Sequence, residues 1–281
     1  MVVQSLLLMG VGVFAGILGA LLGLGGGIII TPVLTLIMGL PIQYAIAASV
    51  IAVIATSSGA TIAYLKDEML NLRVAMFLEI ATTIGAVLGA VVTGLVNAQV
   101  LFVLFGALLL FSVYNMIRKM RRGPERAKNA VPDAAAAKLR LNGAYFDQNT
   151  QTEVNYQVTN VPGGFAMMFG AGLASGLLGI GSGAFKVLAM DTIMKMPLKP
   201  STATSNLMMG VTGAASATVY FFNGNLQPVI AAPIAIGILV GATLGSRLMQ
   251  RLPTKVLRLI FIPVITYMSL QMLLKGFGVL N

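Results

Sequence analysis

The 281-residue chain contains no cysteine and no histidine. The first absence excludes disulfides, iron–sulfur clusters and thiolate chemistry. The second removes the commonest metal ligand and the side chain whose proton relay is tuned nearest neutral pH. No metal and no cofactor is expected. Charge is scarce as well: 9% of residues are charged against 57% hydrophobic, and no Asp, Glu, Lys or Arg precedes Lys66. A mean hydropathy of +0.92 lies far outside the range of soluble domains. About 20 apolar residues span a bilayer as a helix, and the chain supplies many such runs. It reads as an all-α, multi-pass integral membrane protein, with the lipid bilayer as its first partner. The N-terminus lacks the positive region of a cleaved signal peptide. The net charge of +10 lies largely between apolar segments, where basic residues set topology. No nucleic-acid partner is expected.

What the chain does have is a repeat. Displaced by 156 residues, it matches itself without a gap: Gly23, Gly25 and Gly27 fall on Gly179, Gly181 and Gly183, and Pro41 falls on Pro197. Ala47, Ser49, Thr56 and Tyr64 fall on Ala203, Ser205, Thr212 and Tyr220, and the pattern resumes at Gly85-Ala86 over Gly241-Ala242. Two homologous halves follow, residues 1–118 and 163–281. The linker between them, 119–162, opens with a basic run and ends in AYFDQNTQTEVNYQV. Apolar and polar residues alternate there around a polar turn, the pattern of a short β-hairpin; a solvated linker with little fixed structure is the other reading.

The basic loops change places between the halves. The loop after Tyr64 carries Lys66 and Arg73, while its counterpart NGNLQP is uncharged; VNAQ near residue 97 is uncharged, while its counterpart carries Arg247, Arg251, Lys255 and Arg258. Under the positive-inside rule the halves then lie in opposite orientations. With the basic linker in the cytoplasm, both termini are outside, and segments 4–40 and 163–194 each begin and end on one side. Such a segment is too long for one span and short for two. Two short helices meeting at a glycine break fit it, which gives about five membrane segments per half, the first pair short. Eight full spans in parallel halves are the alternative, and they leave the charge swap unexplained.

A half-helix that starts inside the membrane aims unpaired N–H groups and its positive dipole end at the interior. Glycines there let successive N–H groups form an anion nest, and broken helices of this kind build the binding sites of secondary transporters. The candidate anion site is therefore Gly25, Gly26 and Gly27 with Gly181, Ser182 and Gly183. Lys186 adds a cation, and Ser49, Thr204, Ser205 and Asn206 add neutral donors. Each has a plainer reading. The glycines serve close helix packing; the hydroxyls cap or bond back to the preceding turn; Lys186 snorkels or pairs with Asp191. Glu79, alone in an apolar segment, is a candidate carrier of a coupling proton, as is Asp191; pairing with Arg73 is the structural alternative for Glu79.

The paired LLGLGGGIIITPVL and LLGIGSGAFKVLAM, the Pro41 and Pro197 turns and ATSN resemble the TauE/SafE sulfite exporter family over essentially the whole chain. The resemblance implies export of a small sulfur-containing oxyanion: sulfite, sulfoacetate or a related organosulfonate. The chain departs from the family pattern twice. Gly181-Ser182-Gly183 stands where three glycines are usual, and Leu188 stands where a proline is usual, whereas Pro32 is kept in the first half. The function expected is a secondary transporter of the cytoplasmic membrane working by alternating access. The alternatives are an anion channel or an uptake carrier. An enzyme is disfavoured, since no paired catalytic carboxylates occur.

Overall fold

The computed structural model describes residues 2–22, 25–66, 69–121, 133–147, 152–249 and 254–279. Each half opens with a long helix, breaks at its glycine motif, and restarts as a short one. The first half runs α1 (Val2–Leu22), α2 (Gly27–Pro32), a π-helical segment π1 (Val33–Ile37), α3 (Ile42–Lys66), α4 (Leu72–Thr93) and α5 (Ala98–Arg121). The second runs α7 (Val161–Leu178), α8 (Gly183–Leu188), π2 (Ala189–Ile193), α9 (Leu198–Phe222), α10 (Pro228–Met249) and α11 (Thr254–Gly276). Between them lie α6 (Ala134–Lys138) and the antiparallel hairpin of β1 (Gly143–Asp147) and β2 (Thr152–Tyr156), with Tyr145 opposite Val154. From α2 to α4 every boundary recurs 156 residues later.

One expectation needs correction. Both members of each opening pair were to be short, yet α1 has 21 residues and α7 has 18; only the second member is short. The glycines inside α1 do not break it, because in lipid a helix is the way to satisfy each backbone group. Gly12 and Gly16 serve packing instead. A Cβ at Gly12 or Gly16 would lie 2.6 Å from the carbonyl of Ile234 or Ile238 on α10. Beyond Leu22, the first described residue is Gly25, and it is left-handed, at φ +76°.

Five helical stretches among the described residues are long and apolar enough to cross a membrane: Ile42–Ile62, Leu72–Thr93, Ala98–Arg118, Val161–Leu178 and Pro228–Ser246. This is an all-α, multi-pass membrane protein with a small hairpin in its linker. The first helix of each half packs in the other half. Gly237, Gly241 and Gly245 of α10 meet Met9, Val13 and Ile17 of α1 in rising order, so the two run parallel. Gly172 and Gly176 of α7 meet Thr82 and Ala86 of α4 in the same sense. Small residues let these backbones approach within contact, the usual basis of helix association in lipid. The equivalent helices α3 and α9, by contrast, are antiparallel: Ser57 Oγ donates to Asn206 O at 2.5 Å, while Gly213 lies against Ile54. Helices α5 and α11 are antiparallel too, with Gly106 against Ser269 and Gly276 against Gln99.

The linker docks on one end of this bundle. Leu141, Tyr145, Tyr156 and Val158 join Val74, Leu78, Met168 and Met194 in one apolar cluster. Asn71 is the hinge of the contact. Its Oδ1 caps α4 by accepting from Val74 N, and its Nδ2 donates to Leu141 O and Tyr156 Oη, both at 2.9 Å. Asp133 ties α6 to α7, accepting from Ala135 N at 2.9 Å and from Val161 N at 3.1 Å. Those N–H groups favour the charged form and hold its carboxyl below the ordinary range.

Candidate functional site

The two glycine breaks meet at the centre of the molecule. Gly25 and Gly181 both face Val53 and Met209, which are equivalents of each other, and a Cβ on Gly27 would sit 2.4 Å from Gly179 O. Local sequence explains the bend at each break. Gly179 and Gly181 take φ +68° and +70°, values an L side chain rarely adopts. The two N-caps, Gly26 and Ser182, nonetheless differ. Gly26 is right-handed, at φ −66°, and its N–H donates to Thr56 Oγ1 at 3.2 Å. Ser182 is left-handed, at φ +47°, a strained setting for a residue with a side chain, and its buried hydroxyl has no partner.

Below the breaks, α2 and α8 each pass into a π-helical turn at the same place. Pro32 precedes that turn in the first half and Leu188 in the second. The wide turn therefore does not depend on proline.

The neutral donors have mixed employment. Ser49 Oγ lies 2.8 Å from Gly179 O and 2.7 Å from Ile46 O, two carbonyls sharing one proton. Ser205 Oγ donates to Gly183 O at 3.2 Å. These hydroxyls brace the breaks rather than point into open space. Thr204 Oγ1 accepts from Asn71 N at 3.2 Å, joining α9 to the start of α4 and the hairpin. Asn206 Nδ2 donates to Thr202 O at 3.1 Å, which leaves its buried Oδ1 without a partner.

The charged groups come together in a way the sequence did not indicate. Lys186 is fully buried on α8; its ammonium donates to Thr212 Oγ1 at 2.5 Å and lies 4.0 Å from Glu79 Oε2. Thr212 in turn faces Glu79 Oε1 at 2.6 Å, and Thr83 donates to the same oxygen at 3.2 Å. Glu79 Oε2 is buried and accepts no hydrogen bond. Arg73, the alternative partner for Glu79, is exposed and donates to Arg140 O at 3.3 Å. Asp191 lies in π2, partly exposed. Thr212 and Thr83 are the members that sequence reasoning missed. Thr212 stood out only as the repeat partner of Thr56, and its place seven residues after Ser205 puts the two on one face of α9.

The arrangement is a central pair of backbone breaks, flanked on one side by a buried cation and carboxylate bridged by a hydroxyl. Known proteins of similar sequence are membrane transporters by name. The family model for the sulfite exporter TauE/SafE matches residues 8–272. The probable membrane transporter protein YunE of Bacillus subtilis is 27% identical, over 94% of this chain and 96% of its own length. A probable membrane transporter protein of Xylella fastidiosa is 28% identical over 89% and 87%. The probable membrane transporter protein MJ0441 of Methanocaldococcus jannaschii is 25% identical over 95% of both chains. No solved structure matches at a significant level.

Proposed function

The chain belongs to the sulfite exporter TauE/SafE family and is a membrane transporter, and from that premise we propose that it is a secondary transporter moving a small sulfur-containing oxyanion out across the cytoplasmic membrane. Sulfite, sulfoacetate and related organosulfonates are the substrate class. The anion lies between the two breaks, against Gly25, Gly26 and Gly27 on one side and Gly181, Ser182 and Gly183 on the other, with Lys186 supplying the cation. The observation that carries this reading is the meeting of the two breaks at a common centre, with an unpartnered hydroxyl and a buried ammonium beside it. Alternating access follows from two halves in opposite orientation rocking about that centre. Their inversion is supported by the antiparallel run of α3 against α9 and of α5 against α11. A two-fold axis along the membrane normal would leave equivalent helices parallel, whereas one in the membrane plane reverses them. Outward movement is the direction in which an inside-negative potential drives an anion.

The test is a binding screen of sulfite, sulfoacetate, taurine, thiosulfate and sulfate on purified protein, followed by efflux of the best binder from loaded proteoliposomes. Saturable binding and efflux without unitary currents are expected. Unitary currents would make the protein a channel, and silence toward all five anions would overturn the reading.

A further inference from the structure

The two pseudo-equivalent sites beside the breaks are not equally charged. Lys186 and Glu79 have Ile30 and Ala235 as their repeat mates, whereas Thr212 keeps its hydroxyl as Thr56. At the pseudo-equivalent site the fold is complete with apolar side chains in these two places, Ile30 being fully buried. The fold therefore does not need an ion pair here. Replacing a buried pair by apolar residues of similar volume is often neutral or even stabilising. Its geometry is also that of an open pair: the ammonium and carboxylate are 4.0 Å apart, Thr212 stands between them, and Glu79 Oε2 accepts nothing.

Resting on the anion-transport reading above, we infer that Glu79 is a built-in competitor of the transported anion for Lys186, so that each anion bound brings one proton onto Glu79. In the empty carrier Glu79 balances the ammonium. An arriving oxyanion takes over Lys186 and the Thr212 hydroxyl that now serves Glu79 Oε1. A buried carboxylate left without its cation is costly, and a proton from the aqueous phase cancels its charge. Anion and proton then travel together, a dianion keeping one net negative charge on which the inside-negative potential still acts outward, and both are released when Glu79 re-forms its pair.

Among the described residues, the elements around the pair carry few other titratable groups. Helix α7 carries no titratable residue. Helix α9 contributes Lys199 in its first turn and Tyr220 near its far end, and π2 contributes Asp191. On α4 itself Arg73 turns to Arg140 O, and the docked linker presents Asp133, Lys138, Arg140, Tyr145, Glu153 and Tyr156. The contacts of the Glu79 carboxylate are Thr83, Thr212 and Lys186.

The experiment is titration calorimetry of purified protein with sulfoacetate and thiosulfate, in paired buffers of different ionisation enthalpy. Neither anion titrates near neutral pH, whereas sulfite does and would blur the proton count. Wild type is expected to take up about one proton per anion, with affinity rising about tenfold per pH unit of acidification. Glu79→Gln is expected to bind more tightly, without proton uptake and without pH dependence. Lys186→Gln is expected to lose binding. Should Glu79→Gln fail to fold, the double variant Glu79→Ala/Lys186→Ile copies the residues of the pseudo-equivalent site, Ala235 and Ile30; it is expected to fold and not to bind. A merely structural pair changes stability but moves neither the proton count nor the pH slope. Anion binding by wild type with no proton uptake overturns the inference and leaves the transport reading standing. So does a Glu79→Gln variant that keeps the uptake, or a double variant that binds with wild-type affinity and slope. If none of the five anions binds, both readings fall together.

Discussion

Replacing Gly27 by Ala tests whether the meeting of the breaks matters for binding or only for packing. The added Cβ would stand 2.4 Å from Gly179 O, 2.9 Å from Val53 Cγ2 and 3.3 Å from Ile180 Cα. Two of the three are backbone atoms, which cannot rotate away. Ordinary contact is about 3.5 Å, so the two breaks must part by about 1 Å. Overpacking of this kind costs about 1–3 kcal/mol, which lowers Tm by roughly 2–4 °C per kcal/mol. If the breaks hold the anion, the same displacement spoils hydrogen bonds aimed at it and weakens binding about tenfold or more. Gly26→Ala supplies a graded comparison, because its Cβ meets side-chain atoms that can yield, Thr56 Oγ1 at 3.1 Å and Ile238 Cδ1 at 3.2 Å. Gly170→Ala is the blank, with nothing within 4 Å. The chain has no tryptophan, so melting is best followed by size-exclusion of heated samples, with anion affinity measured on the same preparations. The expected order of damage is Gly27, then Gly26, then Gly170, in both readouts. A Gly27→Ala protein that melts early yet binds normally would return the breaks to packing alone, and one that matches wild type in both would refute the geometry itself.

Three further outcomes are expected. Ser182→Gly should relax a left-handed residue at φ +47° and raise Tm slightly while weakening anion binding a few-fold through loss of one hydroxyl; tighter binding would remove Ser182 from the site. Asp133→Ala should expose the linker to limited proteolysis at neutral pH. Because folding holds the Asp133 carboxyl below its ordinary value, its contribution is present above the unfolded pKa of about 4 and lost as pH falls through the folded one, so the variant and wild type should converge in acid. Cysteines placed at the exposed Asn97 and Asn142 should be labelled from outside and only after permeabilisation, respectively; a cytoplasmic Asn97 would end the inverted-halves reading.

The breaks were legible because glycine is read locally. A run such as GLGGG in an apolar chain can only turn or pack, and two copies in one frame point to one architecture. The length of α1 was not legible, since its glycines look like a weakened helix until α10 is seen lying against Gly12 and Gly16, and the break against Gly19. The same holds for Glu79. In a helix apolar on nearly every face, periodicity carries no information about which side turns inward. Nearness in sequence suggested Arg73, six residues away, and tertiary packing chose Lys186, 107 residues away. The ATSN hydroxyls were visible as a cluster, but their partners, Gly183 O for Ser205 and Asn71 N for Thr204, belong to other elements. Such contacts are written in no local pattern.

The departures from the family pattern can now be weighed against one another. Leu188 in place of the usual proline leaves the backbone unmoved, for π2 repeats the course of π1, where Pro32 is kept. Ser182 in place of glycine changes both conformation and chemistry: its backbone turns left-handed where Gly26 is right-handed, and it carries a buried hydroxyl without a partner. The Lys186–Thr212–Glu79 cluster lies one turn further along the same side, and the pseudo-equivalent site answers it with Ile30, Thr56 and Ala235. A repeat whose halves began alike has therefore kept its helices, its breaks and its π turns in common while placing polarity on one side only.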